Sequence, residues 1–130
     1  LSQYNKGVDV IFSPAGASGL GVFDAAEQSN KLAIGCDSNQ NWVKPGKILT
    51  SMLKKVDVAV YQAIELETRN AFQGGIFDLG LSDNGVGYSL DEFNRSLISK
   101  EMENKINSIK TEMAQQKIVV PDYYIQMKKN

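Results

Sequence analysis

Histidine is absent from these 130 residues, so a Ser-His-Asp triad, a Cys-His pair and any His-ligated metal site are excluded within the chain. Cysteine occurs once, as Cys36, which leaves no intrachain disulfide; its place inside an apolar run reads as a buried, inert thiol. No apolar run approaches the roughly 20 residues needed to cross a bilayer, and no signal peptide is visible. Neither charge is in excess: 14 Lys and Arg against 15 Asp and Glu give a net charge of −1, so neither nucleic acid nor an anionic lipid surface is an expected partner. What remains, 42% apolar and 22% charged residues, is the usage of one compact domain. The chain opens on Leu1 rather than Met and leads directly into a strand-like run, so we expect a segment to have preceded it.

Short β-like runs alternate with helical stripes, the pattern of an α/β fold with a parallel sheet. Val8 to Phe12 reads as a buried parallel strand after the turn Asn5-Lys6-Gly7, and Pro14 ends it. Gly19 to Asn30 places Leu20, Val22, Phe23, Ala25 and Ala26 on one helical face; Leu32 to Cys36 is a second strand, and the polar stretch 37–47 is a surface excursion holding Trp42. Ile48 to Leu53 is a third strand, followed by a helix from Val56 to about Ala71. Glycines then punctuate two apolar runs, Ile76 to Leu81 and Val86 to Tyr88, and Asp83-Asn84-Gly85 between them predicts an antiparallel hairpin. Ser89 and Glu92 have the spacing of a capping box, predicting a helix that starts there and runs through Phe93, Leu97, Met102, Ile106, Ile109 and Met113, with a break allowed at Ser99-Lys100. Ile118 to Val120 predicts a terminal strand, cut off by Pro121.

In an open parallel sheet, ligands bind beyond the carboxyl ends of the strands. The residues placed there are Phe12, the loop through Ala15, Gly16 and Gly19, Asp37, and the pair Lys54-Lys55. Gly16, Gly19 and Gly21 follow the order G-x-x-G-x-G, which is not the dinucleotide fingerprint, and no Walker Lys-Ser pair follows. These glycines fit a tight turn with close helix packing, or a loop whose backbone N–H groups donate to a polar ligand. Phe12 fits core filling or a stacking platform for a flat ligand. Asp37 fits a turn residue or a bidentate acceptor for a vicinal diol. Lys54 and Lys55 fit solvated positions or polar contacts in the same crevice.

Taken together, Val8-Asp9-Val10-Ile11-Phe12, Ala15-Gly16, Gly19-x-Gly21-Val22, Ala25-Ala26, Ile34-Gly35-x-Asp37, Pro45-Gly46, Leu49-Thr50-Ser51, Lys54, Val56-Asp57-x-Ala59-Val60-Tyr61 and Gly85-Val86-Gly87 resemble the basic membrane protein family. These are the PnrA-like nucleoside-binding lipoproteins of bacterial ABC importers, and the variant is most similar to spirochaetal members. The resemblance covers about residues 8 to 90. It implies the C-terminal part of a type I periplasmic-binding-protein fold: βα units of one lobe with one cleft wall over residues 1–71, a hinge-crossing region over 72–90, and a C-terminal helix and strand over 91–130, the N-terminal lobe lying outside this chain.

By the same resemblance Phe12 stacks on a purine base, the loop from Ala15 through Gly16 to Gly19 lines the cleft, Asp37 binds the ribose hydroxyls and Lys54 adds a polar contact. The implied partners are a purine nucleoside such as adenosine, guanosine or inosine, the other lobe and an ABC permease. The implied place is the cell envelope, with a lipid anchor outside these residues. No cofactor, metal or catalytic residue is implied. Two readings of other classes stand beside it: a surface lipoprotein that adheres to host matrix, and a nucleoside-processing enzyme on a similar fold. Two departures are visible: the family often has an acid and a glutamine after the first aspartate, whereas this chain reads Asp37-Ser38-Asn39-Gln40, and family members are roughly twice this length or more.

Overall fold

The computed structural model describes residues 1–121, and the chain divides into two units, Leu1–Ser99 and the residues from Lys100 onward. In the first, α1 (Ser2–Asn5), β1 (Val10–Phe12), α2 (Gly19–Gln28), β2 (Leu32–Gly35), β3 (Ile48–Lys54), α3 (Val56–Thr68) and β4 (Val86–Tyr88) follow one another, with 3-10 turns at Gly16–Ser18, Asn41–Val43 and Arg95–Leu97. The sheet runs β1-β2-β3-β4. The first three strands are parallel, with Val10 opposite Leu32, Phe12 opposite Ile34 and Gly35 opposite Ser51. β4 is antiparallel to β3, Met52 facing Tyr88 and Lys54 facing Val86.

The core lies where α1 and α2 meet the parallel strands. Tyr4, Phe23, Ala25, Ala26, Ala33 and Ile48 are buried together, with Ile11, Val22 and Val43 packed against them. The two alanines let α2 sit close to the sheet, and Phe23, 1% exposed, supplies the bulk. Tyr4 is buried because its hydroxyl reaches a partner, donating to the Leu32 carbonyl at 2.8 Å. Burial raises its pKa above the ordinary phenol value. The residues from Lys100 form α4 (Lys100–Ala114), with Glu101 and Glu103 in its first turn, where the helix dipole favours acids.

Five sequence expectations are corrected. β1 is not buried: Val10 and Phe12 are exposed, because among the described residues β1 is bonded on one side only, to β2. Leu20 is exposed as well, the buried face of α2 being Gly19, Phe23, Ala25 and Ala26. Residues 76–81 form no strand; the turn at Asp83-Asn84-Gly85 exists, with Gly85 N–H donating to Gly80 O at 2.9 Å, but β4 pairs with β3 instead. No helix starts at Ser89, because its hydroxyl accepts from Ser51 N–H at 3.0 Å rather than capping a turn; Ile98 is extended and the helix begins at Lys100, at the allowed break. Ile118 to Val120 are irregular rather than a strand, the chain after α4 closing in a turn where Lys117 N–H donates to Glu112 O at 2.9 Å.

Candidate functional site

The carboxyl ends of β1, β2 and β3 lie on one edge of the parallel sheet, and their register decides what meets there. β2 ends at Gly35 opposite Ser51, so Asp37, two residues on, comes level with the last residues of the longer β3. Lys54 N–H donates to the Asp37 carbonyl at 2.9 Å, and Lys54 Nζ lies 3.0 Å from Asp37 Oδ1. Both side chains remain more than half exposed, so the pair faces solvent rather than the core. Asp37 takes a left-handed backbone with φ +71°, a conformation that costs most residues energy and that aspartate tolerates better than most.

Phe12 ends β1 on the same edge and is 48% exposed. Beyond it Ser13 N–H reaches Ile34 O at 3.4 Å and Ser18 N–H reaches Ala15 O at 3.2 Å, closing the 3-10 turn that leads into α2. Gly16 has φ +54°, which explains a glycine there. Ala15 and Gly16 are exposed, whereas Gly19 is buried, and a Cβ on it would stand 3.2 Å from Ser13 Oγ. Of the seven residues singled out from the sequence, Asp37 and Lys54 touch; Phe12, Ala15 and Gly16 are exposed in the segment that closes β1, and Gly19 packs behind them; Lys55 Nζ donates to Asn84 Oδ1 at 2.5 Å instead. A separate, mostly apolar hollow lies between α3 and residues 72–79, lined by Ala59, Gln62, Ala63, Leu66, Phe72, Phe77 and Leu79, with no charged residue among them.

Ser13 Oγ is buried and has no hydrogen-bond partner among the described residues. An unpaired buried hydroxyl costs about 1 to 3 kcal/mol relative to its apolar replacement. Ser13→Ala is therefore expected to raise stability by about 1 kcal/mol, read as a higher denaturant midpoint at unchanged slope. A lowered midpoint contradicts it.

Sequence reasoning missed a polar set behind Asp37. Asn41, Ser51 and Asn94 are fully buried and Ser89 nearly so. Asn41 accepts from Ser51 Oγ at 2.8 Å, Ser51 Oγ accepts from Gln40 N–H at 3.0 Å, and Gln40 Oε1 accepts from Cys36 N–H at 2.9 Å. Asn94 Nδ2 donates to Leu49 O and Ser89 O. The half-buried Asp91 accepts from Asn39, Asn41 and Phe93 N–H. The only sequence signal was the run of amides directly after a strand end. Cys36, in this neighbourhood, is half-buried rather than the buried thiol that its apolar run led us to expect, since it lies just past the end of β2.

Partial desolvation pushes the Asp91 carboxyl up, but the hydrogen bonds from Asn39, Phe93 N–H and Asn41 outweigh it, and the pKa falls below the ordinary value. A depressed carboxyl stabilises fully above its unfolded pKa of about 3.9, and that stabilisation is lost as pH falls through the lower folded value. Asp91→Asn is thus expected to flatten the acid limb of the stability–pH profile below about pH 4. An unchanged acid limb contradicts this.

Comparison with known proteins identifies the family and the fold. The family model described as ABC transporter substrate-binding protein PnrA-like (Bmp) matches residues 1–123. The chain is 46% identical over 94 residues to an uncharacterised lipoprotein of Pyrococcus furiosus, covering 68% of this chain and 24% of the relative. It is 38% identical over 108 residues to basic membrane protein D of Borreliella burgdorferi, covering 80% of this chain and 31% of that protein. A crystal structure of an ABC-transporter solute-binding protein from Aeropyrum pernix superposes with a TM-score of 0.73 at 26% identity, covering 94% of this chain and 43% of that one. The chain therefore spans about a quarter to less than half of the length of these relatives. Its fold is the α/β periplasmic-binding-protein fold expected from the sequence, and the chain belongs to the Bmp family of PnrA-like ABC transporter substrate-binding proteins.

Proposed function

We propose that this chain forms one wall of a purine-nucleoside cleft in the substrate-binding component of an ABC importer, which captures the nucleoside in the cell envelope and passes it to a permease without bond chemistry. The observation that carries this reading is the Asp37–Lys54 pair at the strand ends, 3.0 Å apart and open to solvent, with Phe12 exposed at the end of β1. An ionised carboxylate accepts two hydroxyl donors at once, which suits the ribose diol. Lys54 holds that carboxylate and offers its remaining N–H donors to the sugar. Phe12 presents a ring face for the base, and the Ala15–Gly16 turn borders the same space.

A flat, open wall binds weakly alone, since ligand sites are concave and cover most of the ligand. The reading therefore includes a second lobe in a longer protein, joined through residues 72–90 as hinge, and envelope attachment through a lipid anchor, as the names of the lipoprotein relatives suggest. The test is a thermal-shift screen of the full-length protein against adenosine, guanosine, inosine, the free bases and the nucleotides. A nucleoside at about 100 times its Kd is expected to stabilise by about 2.7 kcal/mol. A response to some other solute class, with none to nucleosides, overturns the nucleoside reading. Full-strength binding by residues 1–130 alone overturns the two-lobe part.

A further inference from the structure

One carboxylate ties together two segments about fifty residues apart. Asp91 Oδ2 accepts from Asn39 Nδ2 at 2.7 Å and from Asn41 Nδ2 at 3.1 Å, while Oδ1 accepts from Phe93 N–H at 2.9 Å. Asp91 is itself anchored: its N–H donates to Asn94 Oδ1 at 2.9 Å, and Asn94 Nδ2 donates to the Leu49 carbonyl of β3 at 2.8 Å. On the other side the bonds continue from Asn41 through Ser51 Oγ and Gln40 to Cys36 N–H, the residue before Asp37.

Asp37 needs such support. Its left-handed backbone, though aspartate tolerates it better than most residues, is a minority conformation that surrounding contacts help to hold. Within the loop itself the backbone bonds are few: Ser38 N–H to Cys36 O at 2.9 Å, Val43 N–H to Gln40 O at 3.0 Å, and Lys54 N–H to Asp37 O at 2.9 Å. The side chains of Asn39 and Asn41, two and four residues beyond Asp37, both end on the same oxygen of Asp91. We infer that Asp91 is a positioning residue for Asp37, its carboxylate latching loop 37–41 against the segment after β4 so that the Asp37 carboxylate stands ready for the ligand's diol. The latch deepens the nucleoside reading above and rests on it for its effect on affinity.

The test uses the full-length protein with Asp91→Asn, in which the amide keeps the side chain's shape but has one acceptor oxygen, so the Asn39–Asn41 pair and Phe93 N–H cannot both be served. Calorimetric titration with adenosine is expected to show Kd raised roughly tenfold, with adenine, which lacks the diol, unaffected. In an Asp37→Gly background the added Asp91→Asn change is expected to cost almost nothing, because coupled residues are non-additive. A merely structural Asp91 lowers the melting temperature but leaves adenosine affinity unchanged, or adds its full loss to Asp37→Gly; either result overturns the proposal. Amide exchange supplies a reading without ligand: Cys36, Gln40 and Asn41 are expected to exchange faster in Asp91→Asn while α2 does not. Should the wild-type protein bind no nucleoside, the proposed function falls and the latch is judged on exchange alone, where unchanged protection of these three amides overturns it.

Discussion

Asp37→Gly is expected to weaken adenosine binding by the full-length protein about a hundredfold while leaving its stability almost unchanged. In the proposed complex the carboxylate accepts from two ribose hydroxyls, and a hydrogen bond to a charged group is worth about 1.5 to 3 kcal/mol. Losing the pair removes about 3 kcal/mol, allowing for water that replaces it, and each 1.4 kcal/mol is tenfold in affinity. Stability responds differently because two small terms oppose each other. The exposed Asp37–Lys54 ion pair contributes about 0 to 1 kcal/mol. Glycine in turn relieves a side chain held at φ +71°, worth about 1 kcal/mol. Glycine is thus a cleaner probe than alanine, which keeps the left-handed strain and loses the carboxylate. Calorimetry with adenosine and a denaturant midpoint on the same sample make the measurement. Undiminished affinity removes Asp37 from the site; an equal collapse of stability and affinity makes its role structural.

The elements legible in the sequence were those whose apolar residues repeat with a local period. β1, β2 and β3 are short apolar runs after turns, α2 and α3 carry helical spacing, and all five stand where that spacing put them, within a few residues at their ends. Asp37 was legible for the same reason, since a charge directly after Ile34-Gly35-Cys36 marks where a strand surfaces. The errors arose where a local signal had a distant competitor. Ser89 and Glu92 spell a helix start, yet Ser51 of β3 takes the hydroxyl. Asp83-Asn84-Gly85 spells a hairpin, yet β3 offers β4 a longer edge than residues 76–81 do, and Lys55 N–H fastens to Gly85 O at 2.9 Å. The latch was invisible because Asp91 meets Asn39 and Asn41 across separations of 52 and 50 residues, and no periodicity encodes a side-chain bond of that reach.

Gly35→Ala is expected to destabilise the fold strongly. Gly35 is the buried last residue of β2, and a Cβ there would stand 2.6 Å from Ser51 Oγ, 2.8 Å from Gln40 Oε1 and 3.1 Å from Ser51 Cβ. None of these atoms is free to withdraw. Ser51 Oγ lies between Gln40 N–H and Asn41 Oδ1, Gln40 Oε1 holds Cys36 N–H, and Ser51 sits in the middle of β3 with no exposed surface. Overpacking a closed site costs about 1 to 3 kcal/mol, and a buried donor left unpaired adds about 1 kcal/mol or more. A loss of about 3 kcal/mol is therefore expected, measured as a fall in the denaturant midpoint. Because the displaced bonds lead to the residue before Asp37, adenosine affinity should fall as well, even in conditions where the protein is fully folded. Ser51→Gly removes two of the three clashing atoms. In the double variant the cost of Gly35→Ala is expected to shrink to less than half of its value alone, the non-additivity that direct contact produces. Additive losses in the two variants place the strain elsewhere than at the β2–β3 contact.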